Sequence, residues 1–218
     1  GGALLGVWLE RSERARMAHE LQQALNQLEE QQRANEVLRG EAEGDSQPRD
    51  GAPRLVQREQ FDDQLRREID LSLREHREFA VVYVHLDPPP PGSPPHDAAG
   101  RERVVEALGR LLRSNTRAMD APSRLEGERF ALLLSGVGLA TAHARMESLR
   151  RQCATQLVAR DGAALRFAVS IGVASFPHTS QTQVGLLQAA ETALAQAQAR
   201  GGNHVALASI AFGAPPPG

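Results

Sequence analysis

The sequence predicts an α/β domain with helices packed on a central sheet, preceded by a separate N-terminal helix. Three observations carry this prediction. From about residue 54 to residue 208, short β-branched and aromatic runs alternate with stretches whose apolar residues recur every three or four positions. Residues 10–39 are rich in Glu, Gln, Arg, Ala and Leu and contain no proline. Between the two regions, residues 40–53 carry Gly, Ser, Pro, Asp and Glu, the composition of a flexible linker.

Gly1 to Leu9 are apolar and are followed by Arg11, Arg14 and Arg16. Nine residues are too few for a bilayer, which takes about 20. An apolar stretch followed by arginines resembles the cytoplasmic end of a membrane-spanning helix, and an arbitrary chain start is the other reading. In residues 10–39, Ala18, Leu21, Leu25 and Leu28 form a three- and four-residue stripe. A short coiled coil and a solvated single helix both satisfy that pattern.

In the globular part, Phe61, Leu65, Ile69 and Leu73 repeat every four residues and predict a helix. Phe79 to Leu86 reads as a strand. Asp87 and the run Pro88–Pro95 follow, where no helix can form because proline lacks the backbone donor and clashes with the preceding turn. That run is a solvated loop or a polyproline segment for an aromatic groove. Val104, Leu108, Leu111 and Leu112 mark a second helix. Ser123–Leu125 and Phe130–Ser135 flank a turn as a hairpin. Ala142, Met146 and Leu149 mark a third helix, and Phe167–Ser175 a strand. Leu187, Ala190, Leu194 and Ala197 mark a fourth helix, ended by Gly201-Gly202, and His204–Ala208 is a last strand. Residues 209–218 read as a disordered tail.

The composition excludes some function classes. Twenty-five Lys and Arg stand against 27 Asp and Glu, so there is no basic excess to attract nucleic acid. The single cysteine, Cys153, excludes an intrachain disulfide, and it falls in phase with the apolar stripe of its helix.

The chemistry-bearing residues cluster after the middle of the chain. Arg117 and Asp120 form an Arg-x-x-Asp motif. A five-residue spacer separates it from Glu126-Gly127-Glu128-Arg129-Phe130. This combination resembles the GGDEF family of diguanylate cyclases, with a degenerate signature turn. Phe167–Ala174 is similar to that family's fourth strand, and Leu55, Arg58 and Phe61 match its entrance turn, of which Asp50 also survives. The resemblance runs from about residue 50 to residue 208. It implies a mostly antiparallel central sheet flanked by helices, and a product-binding site at Arg117 and Asp120.

Family catalysis is phosphoryl transfer between two GTP molecules and needs divalent metal on hard oxygen ligands. By resemblance, the metal carboxylate on the first strand is replaced here by His85. Asp87, two residues on, and Glu128 in the turn are the remaining weak metal candidates. The guanine-binding positions read Ser93 and Glu102, and the phosphate-binding cations read Gln198 and Gly202. The reversed charge of Arg129 suggests a pairing with Glu126 or Glu128 across the turn. No catalytic residue is therefore expected, no cofactor is required, and Mg²⁺ is not expected. Cyclic di-GMP is the expected ligand, gripped by Arg117 and Asp120, with Arg145, Arg150 and Arg151 as candidates for a second arginine.

The expected function is that of a catalytically inactive receptor or signalling module. It would be homodimeric or partner-bound through the N-terminal helix, and cytoplasmic, anchored at the bacterial inner membrane by an upstream segment. A ligand-independent interaction module and a residual cyclase using Asp87 and Glu128 are the alternatives.

Overall fold

A computed structural model describes residues 2–42, 52–117 and 122–210, with the backbone alone for 2–10, 35–42 and 52–56. Among the described residues five α-helices and seven strands occur in the order α1 (Gly2–Ala42), α2 (Ala52–Glu75), β1 (Phe79–Leu86), α3 (Ala98–Ser114), β2 (Ser123–Arg124), β3 (Arg129–Ser135), α4 (Leu139–Thr155), β4 (Val158–Arg160), β5 (Ala163–Leu165), β6 (Val169–Phe176), α5 (Gln183–Ala199) and β7 (His204–Leu207). Most of the expected linker, Asp50, Asp120 and the tail from residue 211 lie outside the described residues, as does the side chain of Leu55. No helix among the described residues is long and apolar enough to cross a membrane.

The main sheet has the strand order β2-β3-β1-β6-β7. All its pairings are antiparallel except β6 with β7, which is parallel. The layering follows from the strand period of two. Phe79, Val81 and Tyr83 of β1 face a core shared with Phe61, Leu65 and Ile69 of α2 and Leu186, Ala190 and Leu194 of α5. Val82 and Val84 point to the opposite face, where α3 buries Val104, Leu108 and Leu112 and α4 buries Met146 and Leu149. Asp97 caps α3 by accepting from the Gly100 N–H at 2.8 Å, so the helix begins as soon as the proline run ends. Cys153 is buried and its thiol is pushed up to about 12, chiefly by burial, which makes it inert.

The chain forms two units, Gly1–Gln47 with Leu157–Leu165, and Pro48–Gln156 with Arg166–Gly218. The first unit joins α1 to the β4–β5 hairpin, an element the sequence reading passes over. Asp161 and Gly162 both adopt positive φ at the hairpin tip, the conformation an Asp-Gly turn supplies. Glu29, only 7% exposed, accepts from the Asp161 and Gly162 N–H groups at 3.2 and 3.4 Å. Gln22 donates to the Gly162 carbonyl at 3.3 Å, and Leu25 is buried beside them. One stretch of the predicted stripe is therefore occupied by a hairpin, while Met17 and Leu21 are exposed.

Two outcomes follow. A Cβ at Gly172 would lie 2.3 Å from the Ala190 carbonyl oxygen and 2.4 Å from the Leu194 nitrogen, both backbone. Gly172→Ala should destabilise the domain by about 1–3 kcal/mol or more, read by urea denaturation. Glu29→Gln removes the charge from the hydrogen bonds at the hairpin tip. Amide exchange at Asp161 and Gly162 should then accelerate by about tenfold, as expected for weakening a charge-assisted bond.

Candidate nucleotide-binding and signature-turn sites

The signature turn is held at the end of the central strands by their register. His85 of β1 pairs with Arg129 of β3, and Val84 with Phe130. Glu126–Glu128 make one turn of 3₁₀ helix between β2 and β3, closed by Leu125 N–H donating to the Arg129 carbonyl at 2.7 Å. Gly127 has φ +66° and Glu128 φ +61°. Glycine adopts that region freely, whereas a glutamate there costs on the order of 1–3 kcal/mol.

Each charge of the turn is engaged. Glu126 accepts from Arg58 Nε at 3.1 Å and Nη2 at 2.8 Å, a bidentate fork. Glu128 accepts from Nε and Nη2 of Arg101 through its two oxygens. The hydrogen bond from Arg58 holds Glu126 below the usual carboxylate range, and that from Arg101 does the same for Glu128 against an opposing effect of burial. Both arginines are pushed up in return by the same hydrogen bonds.

Arg129 does not pair with Glu126 or Glu128, as its position suggested. It reaches Glu191 on α5 at 3.4 Å and lies 5.1 Å from the centroid of the Tyr83 ring. The physical reason is strand alternation together with prior occupancy, because Arg58 and Arg101 already fill the turn carboxylates. Glu102 is taken by Arg124 at 3.0 and 3.2 Å. Arg101, Arg124 and Glu191 were not singled out from the sequence. Their only signal is the charged run Arg101-Glu102-Arg103, which a solvated helix face explains equally well.

Asp87 is spent elsewhere. The strand ends at Leu86, and the Asp87 carboxylate accepts from the Ser170 hydroxyl and from the Asn203 N–H, both at 2.6 Å. It also fills the space beside Gly202, whose φ is +76° and whose added Cβ would lie 2.7 Å from Asp87 Oδ2. Gln198 is exposed at the end of α5. His85 is half-buried, and its Nδ1 has no partner among the described residues. No group of three or more His, Cys, Asp or Glu side chains converges as metal ligands among the described residues. With Glu128 held by Arg101 and Asp87 by Ser170 and Asn203, the donors present do not fit the divalent cation that the fold family implies.

The Arg-x-x-Asp region lies beyond the C-terminus of α3. Arg117 is exposed there. Arg145 of α4 donates from Nη2 to the Asn115 carbonyl at 3.0 Å, which brings its guanidinium to the segment leading into Arg117. Asn115 and Gln152 exchange side-chain hydrogen bonds at 3.0 and 3.2 Å and fix α3 to α4 at this point. Arg150 and Arg151 are directed elsewhere. Arg150 bonds Glu147 and the Asn203 side chain at 3.0 Å each, and Arg151 lies 4.0 Å from Glu147.

The pairings at the turn make its stability pH-dependent. Glu126 and Glu128 have lowered folded-state pKa values, so their contribution is present above the ordinary glutamate value of about 4.3 and is lost as pH falls through the lowered values. Arg101→Ala should cost about 0.2–1 kcal/mol at neutral pH, because the pair is partly exposed. Denaturation series at neutral and acid pH should show that difference vanish at the acid end.

Comparisons with known proteins agree with this fold. The family model for the GGDEF domain of diguanylate cyclases matches residues 95–204. The chain is 30% identical over 158 residues to the bifunctional diguanylate cyclase/cyclic di-GMP phosphodiesterase MucR of Pseudomonas aeruginosa, covering 71% of this chain and 22% of MucR. It thus spans under a quarter of that relative's length. The GGDEF domain of YfiN from Pseudomonas aeruginosa superimposes with a TM-score of 0.61 at 22% identity, covering 71% of this chain and 96% of that one. The coiled coil and GGDEF domain of DgcB from Caulobacter crescentus, in complex with cyclic di-GMP, gives 0.57 at 19% identity, covering 68% of this chain and 78% of that one. The fold, the signature-turn position and the family match together make this chain a member of the GGDEF family.

Proposed function

We propose that this chain is a catalytically inactive GGDEF domain that binds cyclic di-GMP through Arg117 and Asp120 and passes the signal on through α1. One observation carries the loss of catalysis. The two turn carboxylates, Glu126 and Glu128, are each neutralised by an arginine of the same domain. A guanidinium fork offsets the negative charge that would draw a cation to the carboxylate, and the triphosphate lacks the last-helix cations that the family resemblance would place there.

Receptor function is supported by one exposed arginine and a second anchored to the backbone nearby in sequence. Arg117 is exposed, and Arg145 is tied to the carbonyl two residues before it. A guanidinium suits a phosphate or the Hoogsteen edge of guanine, and a carboxylate such as that of Asp120 accepts from a guanine N–H. DgcB, of the same fold, was solved with cyclic di-GMP. Arg150 and Arg151 contribute less to this reading, because Glu147 engages both.

A second reading, a ligand-independent interaction module, is favoured by Met17 and Leu21. They are 67% and 56% exposed and stand one turn apart on α1, where a second copy or another partner's helix can cover them. On either reading the chain works in the cytoplasm, as a homodimer or with a protein partner.

Titration calorimetry decides between them. Cyclic di-GMP should bind in the micromolar range, and Arg117→Ala should weaken binding by at least about tenfold, the loss of one charge-assisted contact. GTP with Mg²⁺ should yield no cyclic di-GMP. Absence of binding heat would discard the receptor reading, and metal-dependent turnover would discard catalytic inactivity.

A further inference from the structure

β1 ends at Leu86 and α3 begins at Ala98, and the segment between them carries six prolines, Pro88–Pro91, Pro94 and Pro95. Its backbone shape follows from covalent constraints. Each proline ring fixes φ at about −65°, and a residue that precedes a proline is driven to extended ψ by the next ring. Pro88, Pro89 and Pro90 are under both constraints, and the peptide bonds of the run are trans. A trans proline under both adopts the polyproline II conformation.

Pro91 is the first residue of the run free of the second constraint, because Gly92 follows it. The chain turns there. Ser93 donates its N–H to the Pro90 carbonyl at 3.0 Å, and Gly92 has φ +82°. Proline at the second position and a positive-φ glycine at the third mark a type II turn, in which the proline stays close to polyproline II dihedrals. Pro88–Pro91 therefore form one stiff turn of left-handed helix with a defined end.

Polyproline II has three residues per turn, so Pro88 and Pro91 share one edge about 9 Å apart. These two are exposed, whereas Pro89 and Pro90, on the other edges, are half-buried. The segment is held at both ends. Asp87 donates its N–H to the Ala168 carbonyl at 2.9 Å, and its carboxylate accepts from Ser170 and Asn203. Asp97 caps α3. Little conformational entropy is left to lose when a partner covers the exposed edge.

The chemistry of that edge defines the partner. Its pyrrolidine rings offer apolar surface without an N–H, and their amide carbonyls are acceptors only. The complementary surface is a shallow groove of aromatic faces whose indole N–H or phenol O–H donates to those carbonyls. Charge narrows the class. No Lys or Arg stands between Arg77 and Arg101, whereas Glu78, Asp87 and Asp97 do. A groove that reads proline beside a cation through its own acidic residues finds nothing to grip here, and a neutral or basic rim is the match.

We propose that the Pro88–Pro91 edge is a docking surface for a partner protein with an aromatic-lined, proline-reading groove whose rim is neutral or basic. The surface is separate from the nucleotide-binding reading and does not depend on it.

The test is an amide NMR titration of the isotope-labelled full chain with three isolated proline-reading domains. The probes are an EVH1 domain and a WW domain, chosen with no acidic rim, and an SH3 domain whose groove is flanked by acidic residues. With the EVH1 or the WW domain, shifts should concentrate at Leu86, Asp87, Gly92, Ser93 and His96 and saturate with a Kd below about 1 mM. The SH3 domain should bind at least about threefold more weakly than the better of the other two. Pro88→Ala and Pro91→Ala should each weaken binding about fivefold to tenfold, the worth of part of a buried ring. Pro89→Ala, on an inner edge, should weaken it less than about threefold. The comparison of the three probes uses the unaltered chain and stands even if a substitution disturbs the loop. A Kd above about 1 mM for both the EVH1 and the WW domain, shifts centred outside residues 86–97, equal losses at Pro88, Pro89 and Pro91, or tightest binding to the SH3 domain would overturn the proposal.

Discussion

Strand β1 is hydrogen-bonded on both edges along nearly its whole length, to β3 and to β6, and its register locates every site on the domain. A strand paired on both sides cannot slip by one residue without turning its apolar set onto the wrong face. Its odd-numbered members, Phe79, Val81 and Tyr83, belong to the α2–α5 core, and its even-numbered members are buried on the other side. The same register sets His85 opposite Arg129 and Ser170, which puts the signature turn and the Asp87 anchor at one end. It sets Phe79 opposite Phe176 at the other, where the two rings stack. The close approach of α5 at Gly172 completes the constraint, because the helix backbone rests directly on the strand.

Around the turn, charges are cancelled in pairs drawn from four elements: Arg58 on α2, Arg101 and Glu102 on α3, Arg124 on β2, and Glu191 on α5. Each pair is partly exposed and contributes little alone. Their joint effect is electrostatic. A surface whose carboxylates and guanidinium groups satisfy one another presents a weak field to a polyanion or a cation. Arg117, exposed past the end of α3, is not among those pairs.

The layer architecture was legible because periodicity reports burial directly. Phe61, Leu65, Ile69 and Leu73 read as one helix face; the first three lie in the core, and Leu73, at the end of the helix, is 51% exposed. The turn was found because its residues are contiguous. What escaped is what joins distant positions. Arg58 meets Glu126 across 68 residues and Arg129 meets Glu191 across 62, and neither local spacing nor composition encodes those meetings. In the sequence Arg58 marks the domain entrance, and nothing local ties it to the turn. The β4–β5 hairpin is a different kind of omission. Its Asp161-Gly162 pair is a turn signal, but strands of three residues each are too short to show alternation.

Asp87 and Gly202 carry a consequence for how this surface can change over generations. The aspartate closes the turn after α5 by holding the Asn203 N–H and the Ser170 hydroxyl, and it occupies the room a side chain at 202 would need. A cation cannot be placed at 202 by one substitution, because it meets both a positive φ and an occupied volume. Removing Asp87 first would orphan two donors and cost stability before anything was gained. The two positions are therefore coupled, so that any route to a cationic side chain at 202 passes through a less stable intermediate.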